Sequence, residues 1–222
     1  RGSGAPSAAI RSASAGAAAR REPVPAWMRG LVVFLCLQTI SVFSLIAWVA
    51  PSAEAAGASP STAATMLGLL SALQVVSGVG LPLIAQRWQR SGLWVVISAL
   101  AVLAGTVLFA IGVVQQHDVA GGWPAVTLMA LGHGGSFAMA NYLVAARAGG
   151  ENDTIRFGAL MMLWSQLAGA LGPLLLGAVR DQAGGYPAVW WVLTGIAAAM
   201  LAGALGLLGF LRRDAEIAAV TG

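Results

Sequence analysis

The chain has 222 residues, 58% hydrophobic and only 9% charged, with a mean hydropathy of +0.81. Soluble domains carry about a quarter charged residues, so an ordinary soluble globular fold is excluded. The net charge of +4 and the pI of about 10.6 would suit nucleic acid, but the placement of the arginines makes that a poor reading.

Residues 1–26, RGSGAPSAAIRSASAGAAARREPVPA, are rich in Ala, Ser, Gly, Pro and Arg and lack hydrophobic periodicity. They are expected to form a disordered cytoplasmic linker. The chain opens on Arg rather than Met, so a preceding segment is expected. Six apolar blocks follow, at 31–50, 62–85, 93–114, 124–146, 157–179 and 187–211, and none holds Asp, Glu, Lys or Arg. A bilayer core about 30 Å thick needs about 20 apolar residues at a rise of about 1.5 Å each. The expected fold class is therefore an all-α membrane protein: a bundle of six transmembrane helices over 27–213, then a cytoplasmic tail at 214–222.

The connections are short. PSAEAAGASPS (51–61) offers Ser59 or Ser61 as a helix cap, and RAGGENDT (147–154) offers Asn152, Asp153 or Thr154. Trp27, Trp88, Trp94, Trp123 and the pair Trp190–Trp191 lie near expected helix ends, where interfacial aromatics belong. The first span is too long for a cleaved signal peptide and no cleavage pattern directly follows it.

All twelve basic residues are Arg. Arg1, Arg11, Arg20, Arg21 and Arg29 precede the first span; Arg87 and Arg90 follow the second; Arg147 and Arg156 flank the loop after the fourth; Arg212 and Arg213 follow the sixth. The other three connections hold only Arg180. This alternation is the positive-inside asymmetry and puts both termini in the cytoplasm. Cys36 is the only cysteine, so no disulfide forms within the chain.

Chemical motifs are few. GHGGSF (132–137) resembles the His-Gly-Gly oxyanion motif of esterases, but the required G-x-S-x-G nucleophile turn is missing. A phosphate-binding loop needs a lysine, and the chain has none. His117 is expected near the opposite rim from His133 and no span holds a carboxylate, so a zinc site lacks ligands. No enzyme, metal or cofactor is expected.

Uncharged polar groups are unevenly spread. The first span carries Gln38, Ser41 and Ser44; the second carries Ser71, Gln74 and Ser77 at spacing three; the fifth carries Ser165 and Gln166. In the fourth, His133, Phe137, Ala140 and Val144 share a helical stripe, with Ser136 and Asn141 at its edges. Spans three and six are nearly pure hydrocarbon. Four helices lining a cavity, with two packed outside, would produce this pattern. Lone Ser and Thr hydroxyls more often bond their own helix, and Gln38, Gln74 and Asn141 fit cavity lining and interhelical glue equally well. His133 leans towards function as a candidate proton carrier, substrate contact or interhelical bond. Gly132, Gly134 and Gly135 would allow close helix packing, but three glycines in four positions also lower helix propensity and predict a local break at mid-depth.

LQTISVFSLIAWVAPSAEAAGASPSTA (37–63), LQVVSGVGLPLIAQR (73–87), GHGGSF and LGPLLLGAVRDQAGGY (171–186) resemble helices seven, eight, ten and eleven of major facilitator superfamily transporters. The resemblance covers 31–211 and is closest to the cyanate and nitroimidazole transporter branch. It implies one six-helix half of a twelve-helix protein, the partner being an N-terminal half, in a bacterial cytoplasmic membrane. It also implies that helices one, two, four and five line a central cavity, and that Gly172, Pro173, Gly177 and Asp181 form the eleventh-helix signature. The turn QRWQRSG, His133 among the glycines, and Trp164 with Gln166 depart from the branch pattern. The expected function is alternating-access transport of a small anionic solute. Gln38, Ser41, Ser71, Gln74, His133, Ser136, Asn141 and Gln166 would line the pathway. The alternatives are a drug or metabolite exporter of the same superfamily, or a stand-alone six-helix scaffold.

Overall fold

The computed structural model describes residues 23–88 and 91–221, with side chains described to 213. The expected disordered linker therefore falls, over 1–22, outside the described residues. Six long helices follow: α1 Ala26–Ala55, α2 Pro60–Trp88, α3 Ser91–Leu108, α4 Gly122–Arg147, α5 Glu151–Ala183 and α6 Tyr186–Thr221. A π-helical stretch, Phe109–Gln115, continues α3. Two residues beyond its end, His117 stands in the left-handed region, at φ 56°. The expected tail at 214–222 is a continuation of α6 as far as Thr221.

Five of the helices (α1, α2, α3 with its π extension, α5 and α6) are long and apolar enough to cross a membrane, so this is an all-helical, multi-pass membrane protein. At 26 residues α4 is long enough, but it falls outside that group on composition. Its His133, Ser136, Asn141 and glycines lower its hydropathy, and the fold shelters them. α4 packs most extensively against α2 and α3, and Gly132 to Ser136 are all buried.

The packing repeats. α1 packs chiefly on α5 and α6, as α4 does on α2 and α3; α3 packs on α6, and among the described residues α2 and α5 do not touch. For the six α-helices, exchanging α1 with α4, α2 with α5 and α3 with α6 maps every packed pair onto a packed pair, α1–α4 and α3–α6 onto themselves; the π-helical stretch, which also packs on α1, falls outside this exchange. Two apolar clusters close the bundle. One joins Met28, Leu35, Ala85, Val95, Val144 and Leu207; the other joins Val49, Met66, Phe109, Ala125, Leu176 and Trp190. Helix starts and ends alternate between the two clusters, as antiparallel neighbours must. Between them lies a polar layer that includes Gln38, Thr39, Ser41, Ser44, His133, Ser136 and Ser165, all buried.

Local signals explain the boundaries. Ser59 Oγ accepts from the Thr62 N–H at 3.2 Å, capping α2 as expected. The cap expected for α5 among Asn152, Asp153 and Thr154 is not formed. The helix starts earlier, at Glu151 after Gly150, which places Glu151 and Asp153 in the first turn, where carboxylates favour the positive end of the helix dipole. Gly184, at φ 72°, ends α5. Trp190 is core rather than interfacial: it is fully buried, stacks on Phe109 at 4.1 Å and donates from Nε1 to Ser52 Oγ at 2.8 Å. Trp191 next to it is 46% exposed.

The expected helix break at Gly132, Gly134 and Gly135 does not occur; α4 is continuous from Gly122 to Arg147. The glycines instead let backbones meet. A Cβ on Gly132 would lie 2.6 Å from the Ser98 carbonyl oxygen, and one on Gly135 would lie 2.8 Å from Ser98 Oγ. One on Gly134 would collide with the Gln74 carbonyl and Ser77 Oγ. Enclosure on two sides holds the helix, outweighing a propensity cost of about 1 kcal/mol per glycine. Gly134→Ala should destabilise the bundle by about 1–3 kcal/mol through overpacking. Gly68→Ala, where a Cβ meets nothing within 4 Å, should not. Melting of the purified full-length protein in detergent compares the two, and equal melting temperatures would refute the close-packing role.

Candidate functional site

The site is a cavity of about 900 Å³ lined, among the described residues, by α1, α2, α4 and α5 and by none of α3 or α6. It lies on the side where α2 and α5 stand apart. Six of the eight expected lining residues are on its wall: Gln38, Ser71, Gln74, His133, Asn141 and Gln166. Ser41 and Ser136 are not; both are buried in helix contacts. The expected stripe on α4 is also rotated. The cavity face runs through Gly134, Phe137, Ala138, Asn141 and Ala145, whereas Ala140 and Val144 belong to the apolar core.

His133 is fully buried. Its Nδ1 lies 2.8 Å from the Met129 carbonyl and its Nε2 3.0 Å from Ser41 Oγ. A carbonyl only accepts, so Nδ1 carries the proton; in the neutral ring Nε2 then accepts from the Ser41 hydroxyl. The His133 carbonyl accepts from Ser136 Oγ at 3.0 Å and from Gln38 Nε2 at 3.3 Å. One residue of α4 thus draws two polar side chains of α1 onto itself. Both ring nitrogens are occupied by protein groups, and what the ring lends the cavity is wall.

The other polar groups divide by partner. Asn141 donates from Nδ2 to the Phe137 carbonyl at 2.9 Å, and Ser71 donates to the Leu67 carbonyl at 3.0 Å. Ser77 donates to Gln74 O at 3.2 Å and reaches Ala130 O across the interface at 3.5 Å. Two atoms of lining residues are buried without a partner, Gln38 Oε1 and Gln74 Nε2. Both atoms are shut off from the cavity as well as from a partner, and the walls beside them include the apolar Val42, Phe43, Val79 and Phe137.

The signature residues of α5 act in packing. Beside Gly172 a Cβ would lie 2.8 Å from the Ile40 carbonyl oxygen and from Ser44 Oγ of α1; beside Gly169 it would lie 3.0 Å from Phe43. Gly177 faces Trp48, and Pro173 lies inside the helix. Asp181 is exposed and sits 3.7 Å from Arg180, whose guanidinium lies over the rings of Tyr186 and Trp48 at 4.9 and 5.9 Å. Sequence reasoning missed Thr39, which lines the cavity and donates to the Ser165 carbonyl at 2.7 Å, tying α1 to α5. Its place beside Gln38 was the available signal. It also missed Gly78, Pro82 and Tyr142 on the wall. Among the described residues no group of three His, Cys, Asp or Glu side chains could hold a metal.

If Ser41 is the partner of His133, Ser41→Ala should leave Nε2 buried and unpaired, at a cost of about 1–3 kcal/mol. The same change in a His133→Leu background should cost much less. A double-mutant cycle on apparent melting temperature measures this coupling, and simple additivity would count against the bond. The chain matches no protein-family model and no curated protein.

Proposed function

We propose that the chain is one six-helix half of a secondary transporter of the major facilitator type. It would move a small solute across a bacterial cytoplasmic membrane by alternating access, with an N-terminal half completing the pathway. The observation that carries this reading is the cavity itself: about 900 Å³ at the level of the polar layer, walled among the described residues by α1, α2, α4 and α5 only. Transporters bind substrate near the bilayer midplane at the interface between repeats, and the exchange symmetry of the helix packing supports such an origin. The arginine alternation supports cytoplasmic termini.

A break in α4 would have offered backbone N–H groups to an anionic solute; the unbroken helix removes that one contact. His133 is better read as an interhelical tie than as a proton carrier, because protein groups occupy both ring nitrogens. No reaction is proposed for this site.

Reconstituted full-length protein should show counterflow: solute preloaded inside vesicles should accelerate uptake of labelled solute several-fold. Gly78→Trp should abolish it, since Gly78 lines the cavity and its Cβ direction meets only the Gly134 carbonyl oxygen, at 3.7 Å. Absence of trans-acceleration for every solute tested would favour the scaffold alternative.

A further inference from the structure

A groove of about 450 Å³ runs between the first half of α1 and the last turns of α6, with Phe34 and Leu207 buried in its floor. At about 100° per residue, its α1 residues centre on the face roughly opposite Gln38, Thr39, Val42 and Phe43 of the cavity wall. Among the described residues α6 gives the cavity nothing. A second half seated over the cavity therefore leaves this groove to the lipid.

Its depth matches one leaflet. Trp27 and Phe210 stand at one end, Leu37 and Ala199 at the other. At a rise of about 1.5 Å per residue, Trp27 and Leu37 are about 15 Å apart, half of a hydrocarbon core about 30 Å thick. The glycines that border it differ from those of α4. A Cβ on Gly30 or Gly206 would meet nothing within 4 Å, so these positions leave room where Gly134 draws helices together.

Any bilayer would lay acyl chain in such a trough; what selects a lipid is the cation at its mouth. Arg29 lines the groove, is exposed and has no ion-pair partner among the described residues. Arg212 and Arg213 follow Phe210 within a turn and are also exposed. Asp214 comes next in sequence, so the groove's own cation is Arg29. A zwitterionic headgroup carries a cation beside its phosphate, whereas an anionic headgroup does not and gains more from an arginine. Basic sites between helices at the cytoplasmic surface hold anionic headgroups in this way.

We infer that the groove binds one anionic phospholipid from the leaflet on the arginine-rich side, the cytoplasmic one in the proposed orientation. One acyl chain lies along Gly30, Val33, Gly203 and Gly206, and the phosphate accepts from the Arg29 guanidinium. This site is independent of the transport reading, since it occupies the other face of α1.

Native mass spectrometry of the full-length protein in detergent tests it, with phosphatidylglycerol or phosphatidylcholine added, both carrying oleoyl chains. Phosphatidylglycerol should be retained about fivefold more, the worth of one arginine near an anionic surface. Arg29→Gln should reduce it to the phosphatidylcholine level, and Arg29→Lys should restore most of the difference. Gly206→Leu should lower retention of both lipids by filling the groove. Gly195→Leu, also open beside its Cβ but outside the groove, should change neither. Excess glycerol 3-phosphate should not displace the lipid. Equal retention of the two lipids, retention of neither, or displacement by glycerol 3-phosphate overturns the inference. So does a preference that outlasts both Arg29→Gln and Gly206→Leu. Dimers in place of lipid adducts, lost on Gly206→Leu, would assign the groove to a second copy and overturn it too. None of these outcomes bears on transport, which counterflow tests separately.

Discussion

Close approach of backbones along α4 is the constraint from which the rest of the bundle follows. In a bilayer each unsatisfied polar group costs several kcal/mol, and α4 carries more polar side chains at mid-depth than its length of hydrocarbon contact would tolerate. It is accommodated because α2 and α3 lie against it at Gly132, Gly134 and Gly135, closer than any Cβ would permit. With lipid excluded, His133 can sit fully buried and gather Ser41 and Gln38 from α1. The α1–α5 crossing is built in the same way, with Gly169 and Gly172 against Thr39, Ile40, Phe43 and Ser44. Small residues and hydroxyl-to-carbonyl bonds, not apolar burial, supply association between membrane helices.

The same geometry separates two kinds of layer. Above and below, Met, Leu, Val and aromatic side chains pack into clusters that need no partner other than shape. Between them the polar layer is nearly closed on itself: Thr39 to Ser165, Ser136 to His133, Ser41 to His133. The exceptions are Gln38 Oε1 and Gln74 Nε2, on two residues that line the cavity, and Ser44 Oγ, packed beside Gly172.

Much of this was legible in the sequence, for physical reasons. Blocks of hydrocarbon length with no charge can do little but span a membrane, and α1, α2, α3, α5 and α6 have that length and composition. Uneven polar content separated α1, α2, α4 and α5 from α3 and α6, and the cavity lies among the first four. What failed were readings that depend on neighbours. A run such as GHGGSF loses helix propensity in isolation, yet α2 and α3 enclose it and hold it helical. Ser41 and Ser136 carry the same hydroxyl as Ser71, and only packing decides which of them faces the cavity. Trp190 sits at a helix end like Trp191, but Phe109 and Ser52 draw it inwards. Register on the face of α4 depended equally on its neighbours: rotating the stripe moved Ala140 and Val144 into the core.

The length of α6 bears on how such a molecule could be visualised. At 36 residues it measures about 54 Å, against about 30 Å of hydrocarbon, so about four turns run beyond the bilayer core as uninterrupted helix. The connections between described helices are a few residues each, and such short links offer little by which particle images could be oriented. A helical protein fused in phase to the end of α6 would inherit its axis. The bundle then carries its own mast for a rigid marker.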